Sequence, residues 1–218
     1  LADAGHEVVM LSPIIDATIT NIGAEKVQKI ITIPPCASSI HFTEIIGDEA
    51  ASNLWRSQSV SGMLQHSSTV LSAWHDQCNT TINHPGLLES LKRETFDAAI
   101  TEYMDLCGLG IFRHLGIERF AIAFSIAAIE GSFDMTGLPS FPSYVPGAFM
   151  SFSERMTFLQ RVANTLSLGI GKFFFPFMSA ANERIFRENF GPNFPGLNEL
   201  IVVRQRRTVD RIPASYPA

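Results

Sequence analysis

Along this chain, short unbroken apolar runs alternate with longer segments in which apolar residues return every third or fourth position. The runs predict buried strands and the longer segments predict helices. Leu1–Ala4 reads as the last turn of a helix, with Gly5 as the residue that stops it. A strand is expected next over 6–11, where Val8, Val9, Met10 and Leu11 follow one another. "KIITIPP" (29–35) is a β-branched run halted by two prolines, and "FDAAIT" (96–101) and "RFAIAFS" (119–125) are the remaining strands. Between them, 51–83 is helical, with Val60, Leu64, Ser67, Leu71, Trp74 and Cys78 forming one core-facing stripe. "HPG" (84–86) breaks that helix, and shorter helices are expected over 87–94 and 105–117. The proline-rich segment 137–149 has no helical period and reads as an extended loop. Residues 152–190 return to an amphipathic, Phe-rich helix closed by "FGPNFPGL" (190–197).

Strands that alternate with helices predict an α/β fold, a Rossmann-like parallel sheet with helices on both faces. In such sheets ligands sit beyond the carboxyl ends of the strands. Four places qualify: Ser12-Pro13, Pro34-Pro35, Glu102-Tyr103 and Ser125. Only the third carries a titratable side chain at the strand end, Glu102, with Asp105 as a neighbour three residues on. A carboxylate there can orient an imidazole and balance the charge it gains on taking a proton. Two plainer readings compete: Asp105 caps the next helix and Glu102 is simply solvated. No histidine completes the pair on sequence grounds. His6 opens a strand at the end away from the site, and His41, His66, His75, His84 and His114 have no Ser, Asp or Cys at suggestive spacing.

Composition narrows the picture. The 218 residues exceed the usual single domain, and 46% are apolar, enough for a core. A net charge of −5 argues against nucleic acid as a partner. Phe is used 17 times against 3 Tyr and 2 Trp, which suggests a large apolar interior or an apolar pocket. The cysteines, Cys36, Cys78 and Cys107, show no metal-ligand spacing and no disulfide framework, and read as buried small apolar residues. Asn79-Thr80-Thr81 is the single N-glycosylation sequon, relevant only in the secretory pathway. Ser57–His75 lacks charge but holds six serines, too polar to span a bilayer. "LSLGIGKFFFPFM" (166–178) could lie on a membrane surface, although Lys172 and Pro176 favour a buried helix. No phosphate-cradling glycine loop is present.

Several phrases, in order, carry a resemblance: "LADAGHEVVMLSPIID", "FDAAITEYMDLCGLGIF", "PSYVPGAFMSFSERMTFLQRVANTL" and "ERIFRENFGPNFPGLNEL". Together, from Leu1 to about Ile201, they resemble the amino-terminal half of the UDP-glucuronosyltransferases, in the wording of the nematode branch. The resemblance implies the amino-terminal domain of a glycosyltransferase B fold, incomplete here at both ends. Residues 1–200 would be a partial acceptor-binding domain. The basic stretch 201–218, with Arg204, Arg206, Arg207 and Arg211, would be a divergent, poorly ordered tail.

The activity implied is inverting transfer of a sugar from a UDP-sugar, UDP-glucuronate or UDP-glucose, to a lipophilic small-molecule acceptor. Such conjugation of xenobiotics takes place on the lumenal side of the endoplasmic reticulum membrane. The family's supporting carboxylate falls on Glu102, where vertebrate members have Asp, and Asp105 and Cys107-Gly108 match the continuing motif. The histidine it supports belongs to the helix that ends at Leu1–Ala4 and is expected upstream of this sequence. The donor signature is also missing. These residues alone are therefore expected to be inactive, an incomplete gene model or a shortened splice product. They would bind no cofactor or metal, and membrane association would come from segments missing here. Homo- or hetero-oligomers with family members are a further expectation. The alternative is a non-catalytic half-domain that binds small molecules or modulates a partner.

Overall fold

The computed structural model describes residues 1–20, 23–45, 60–103, 106–125, 139–147, 150 and 152–201, with backbone alone for 60–67 and 170–178. The chain divides into two compact units, Leu1–Thr95 and Phe96–Ala218.

In the first unit a turn of 3-10 helix, Ala2–Ala4, ends as expected at Gly5, whose φ of 85° is left-handed. Strand β1 spans Val9–Pro13, later than the expected 6–11. The shift is set by a residue distant in sequence. Gln28 occupies the backbone ahead of it, its Oε1 accepting from the Val8 N–H at 2.8 Å and its Nε2 donating to the His6 carbonyl at 3.2 Å. Ladder pairing therefore starts at Val9, three residues after the expected start, and Ser12-Pro13 lies inside the strand rather than beyond it. Strand β2, Lys29–Ile33, pairs with β1 in parallel, from Val9 opposite Lys29 to Pro13 opposite Ile33. Pro34 and Pro35 stop it, as the proline pair predicts.

Helices α1 (Ala37–Ile45), α2 (Val60–Ile82) and α3 (Leu87–Arg93) follow. The expected residues 51–59 of the α2 segment lie outside the described residues. The buried stripe of α2 is more polar than its apolar spacing suggests. Ala73, Cys78 and Ile82 are buried, but so are Gln77 and Thr81. Gln77 explains why: its Oε1 accepts from the Cys36 N–H at 2.8 Å and the Ser39 hydroxyl at 3.1 Å, and its Nε2 donates to the Pro34 carbonyl at 3.0 Å. One side chain thus closes β2 and opens α1. Gly86, at φ 71°, makes the break before α3.

In the second unit, β3 (Ala99–Glu102) and β4 (Phe120–Ala123) form a parallel pair, from Ala99 opposite Phe120 to Glu102 opposite Ala123. One face of β3 is open, with Ile100 57% exposed. Helix α4, Cys107–His114, begins two residues after the expected 105. Its small residues set how close it lies: a Cβ on Gly108 would meet Thr101 of β3, and one on Gly110 would meet the Phe186 ring.

Helix α5 runs over Phe158–Phe190, not from 152. Its start is fixed by a capping box in which the Thr157 hydroxyl accepts from the Gln160 N–H and the Thr157 N–H donates to Gln160 Oε1 at 2.8 Å. Pro176 lies within this helix, which continues through it. Residues 139–147 contain no helix or strand. They are gathered by buried Asn164 of α5, which accepts from the Gly147 N–H at 2.7 Å and donates to the Pro142 and Val145 carbonyls at 2.8 Å each. A further helical stretch covers 197–201, entered by the Leu197 N–H donating to Glu183 Oε1 at 3.0 Å. Of the expected tail, 202–218 lies outside the described residues.

Among the described residues no helix is long and apolar enough to cross a membrane.

Candidate functional site

Glu102 is the last residue of β3, not the first after it. The parallel register places it opposite Ala123, and the ladder extends one step further through the Tyr103 N–H donating to the Ala123 carbonyl at 2.8 Å. Tyr103, buried, stacks on Phe124 with ring centroids 4.7 Å apart. Backbone pairing and ring stacking together fix the carboxyl ends of both strands side by side. Two of the four strand-end places are therefore joined. The Ser125 N–H donates to Glu102 Oε1 at 3.2 Å, and the Ser125 hydroxyl donates to the same oxygen at 3.1 Å.

The carboxylate is half-buried, so it keeps contact with solvent at the mouth of the strand pair. Two donors on one oxygen hold the group in one orientation. The parallel alignment of "FDAAIT" and "RFAIAFS" was the signal in the sequence that could have found Ser125 as the partner of Glu102. Asp105 lies outside the described residues.

The one histidine of this unit, His114, ends α4 and stacks on Phe190 with ring centroids 4.4 Å apart. Phe186, Phe190 and Phe194 lie against one another, with Phe190 and Phe194 centroids 5.0 Å apart.

In the first unit, a groove of about 360 Å3 runs between α1 and α2, lined by Ala37, Ser38, His41, Ser68, Thr69 and Ser72. The Ser38 hydroxyl donates to Asp76 beside it. Four of the six lining residues carry hydroxyls, although the larger part of the exposed lining is apolar. Among the described residues there is no cluster of His, Cys, Asp and Glu able to hold a metal ion.

The cysteines differ from the expected reading. Cys36 is a free thiol, whereas Cys78 and Cys107 are each disulfide-bonded. Cys78 and Cys107 are buried, at 1% and 3% exposure, as expected, while Cys36 is only half-buried; the bonding of the two buried residues is what the sequence left open. Asp16, on the loop after β1, is held below the ordinary carboxylate value of 3.8 by the Thr18 hydroxyl, then by the Thr18 N–H.

Comparison with known proteins agrees with the ordered phrases of the sequence. A family model described as UDP-glucoronosyl and UDP-glucosyl transferase matches residues 1–196. The chain is 29% identical over 208 residues to ugt-47 of Caenorhabditis elegans, whose name assigns it to the UDP-glucuronosyltransferases. That match covers 92% of this chain and 37% of the nematode protein. It is 27% identical over 176 residues to UDP-glucuronosyltransferase 1A7 of Mus musculus, covering 77% of this chain and 31% of the mouse protein. The chain thus spans about a third of the length of these curated relatives. No solved structure matches the chain. A family match over nine-tenths of the sequence, with parallel strand pairs and helices beneath it, decides the matter: the chain belongs to the UDP-glucuronosyl and UDP-glucosyl transferase family.

Proposed function

We propose that the protein carrying these residues is an inverting UDP-glycosyltransferase, and that residues 1–200 are part of its acceptor-binding amino-terminal domain in a glycosyltransferase B fold. Its substrates are a UDP-sugar, UDP-glucuronate or UDP-glucose, and a lipophilic alcohol, phenol, amine or acid. A hydroxyl is a weak nucleophile at neutral pH, so a histidine must take its proton as it attacks the anomeric carbon. Glu102 is the positioning residue for that histidine. Its Oε1 is engaged by Ser125, and Oε2 is the oxygen this reading gives to the imidazole N–H. The charge on the carboxylate then offsets the charge the ring acquires. UDP leaves readily, so no covalent intermediate is required.

The observation that carries the reading is the half-buried Glu102 carboxylate held at the carboxyl end of a parallel strand in a chain of this family. Asp105 remains a neighbour of the site in this proposal. The reaction is placed on the lumenal side of the endoplasmic reticulum membrane, and disulfide-bonded Cys78 and Cys107 support an oxidising compartment. The 218 residues alone are inactive in this reading, since among the described residues no histidine is paired with Glu102 and no donor signature is read in the sequence.

The test is Glu102→Gln in the complete protein, with sugar transfer to a phenol followed by UDP release. The expected result is a fall in kcat of roughly 10²–10⁴ with KM for the UDP-sugar unchanged. Ser125→Ala should lower kcat less, and full activity in Glu102→Gln would end the proposal.

The half-domain alternative has one observation in its favour, the groove between α1 and α2. Calorimetric titration of the chain with small acceptors tests it, and co-purification with a full-length family member tests partner modulation.

A further inference from the structure

We propose that Asn79 is an N-glycosylation site, modified while the chain is still unfolded and carried on the solvent face of α2. This inference rests on the lumenal placement proposed above and goes beyond it. Asn79-Thr80-Thr81 is the single Asn-x-Ser/Thr of the sequence. The structure adds three observations. Asn79 is exposed, and with Asp76 and Asn83 it forms an exposed polar row at helical spacing. The opposite side of the same turns holds buried Ala73, Gln77, Cys78 and Thr81. A bulky, hydrated sugar at Asn79 therefore points away from the core. Secondly, Asn83 Nδ2 donates to Asn79 Oδ1 at 3.0 Å, an acceptor that a sugar on Nδ2 leaves in place. Thirdly, Cys78, the residue just before the sequon, is disulfide-bonded, which marks an oxidising compartment where such transfer occurs.

The timing follows from Thr81. It is 0% exposed, and its hydroxyl donates to the Gln77 carbonyl at 2.7 Å. A transferase that reads the Asn and the hydroxyl together cannot reach this hydroxyl once α2 has closed. Modification therefore precedes folding of the helix. In the transfer the Asn79 Nδ2–C1 bond forms, and the C1–O bond to a lipid-linked oligosaccharide diphosphate breaks. The amide proton passes to a base of the transferase, and the lipid diphosphate leaves with the bonding electrons.

The experiment is expression of the complete protein in insect cells, followed by peptide-N-glycosidase treatment and peptide mass spectrometry. In parallel, thiols are alkylated without reduction. The expected result is Asn79 converted to Asp only after glycosidase treatment, with Cys78 and Cys107 protected from alkylation. Asn79→Gln and Thr81→Ala should each abolish the modification, and Thr81→Ser should keep it. Because transfer precedes folding, a misfolded Thr81→Ala chain still reports on the sequon. Unmodified Asn79 with both cysteines protected overturns the site and leaves the lumenal reading standing. Reactive Cys78 and Cys107 overturn both.

Discussion

Gly108→Ala is the substitution with the most specific consequence for the candidate site. A Cβ built there falls 2.8 Å from Thr101 Cβ and nearer still to Thr101 Oγ1, whereas ordinary contact begins at 3.4 Å. Rotating the Thr101 side chain moves Oγ1 but not Cβ, so the clash is relieved only by shifting α4 away from β3. Overpacking of this kind costs about 1–3 kcal/mol. For a chain of this size the melting temperature should fall by roughly 2–4 °C for each kcal/mol. Thr101 directly precedes Glu102, so the same shift displaces the carboxylate. Calorimetric melting of the chain measures the loss.

Two companions make the reasoning refutable. Thr101→Gly removes both clashing atoms, so Gly108→Ala should cost much less in that background, with a coupling of about 0.5–3 kcal/mol. Gly169 in α5 has nothing within 4 Å of its would-be Cβ, so Gly169→Ala should be stabilising, by about 0.5–1 kcal/mol. If Gly108→Ala is neutral, or its cost is the same with and without Thr101, the close approach of α4 to β3 is not what this glycine provides.

Gln77→Leu keeps the volume but abandons three hydrogen bonds, and should destabilise by about 2–4 kcal/mol in urea unfolding; a loss under about 1 kcal/mol contradicts its role as the clasp of β2 and α1. Thr157→Ala opens the capping box of α5 and should cost about 0.5–2 kcal/mol by the same measurement. Asp16 titrates below 3.8 when folded, so its contribution to stability is complete above that value and is lost as pH falls through the folded pKa. Thr18→Val removes the larger cause, and an NMR carboxyl titration should show the Asp16 midpoint rising toward 3.8.

What could be read in advance depended on whether the determining contact was local. Gly5, Pro34-Pro35 and Gly86 act through their own backbone restrictions: elements end at the first two, and α3 begins just after the third. The four strands and their alternation with helices were legible from apolar runs for the same reason. The α5 start was legible too, because Thr157-Phe158-Leu159-Gln160 has the capping-box spacing, but the amphipathic pattern drew the boundary to 152. The offset of β1, the burial of Gln77 and the bonding of Cys78 and Cys107 were not legible. The first two depend on partners distant in sequence, which no local period encodes. Glu102 was found by its position at a strand end; Ser125 as its partner required the register of β3 against β4.

Asn164 reaches the 139–147 segment through main-chain groups alone, two carbonyls and one amide. Every amino acid offers a carbonyl and every one but proline an amide N–H, so the anchor is nearly blind to what the segment's side chains are. Natural variants of this family could thus exchange residues such as Phe141 and Tyr144, both about half exposed, without rerouting the segment. A fixed path with replaceable decoration is an arrangement in which surface chemistry can diversify while the scaffold beneath it stays under a separate constraint.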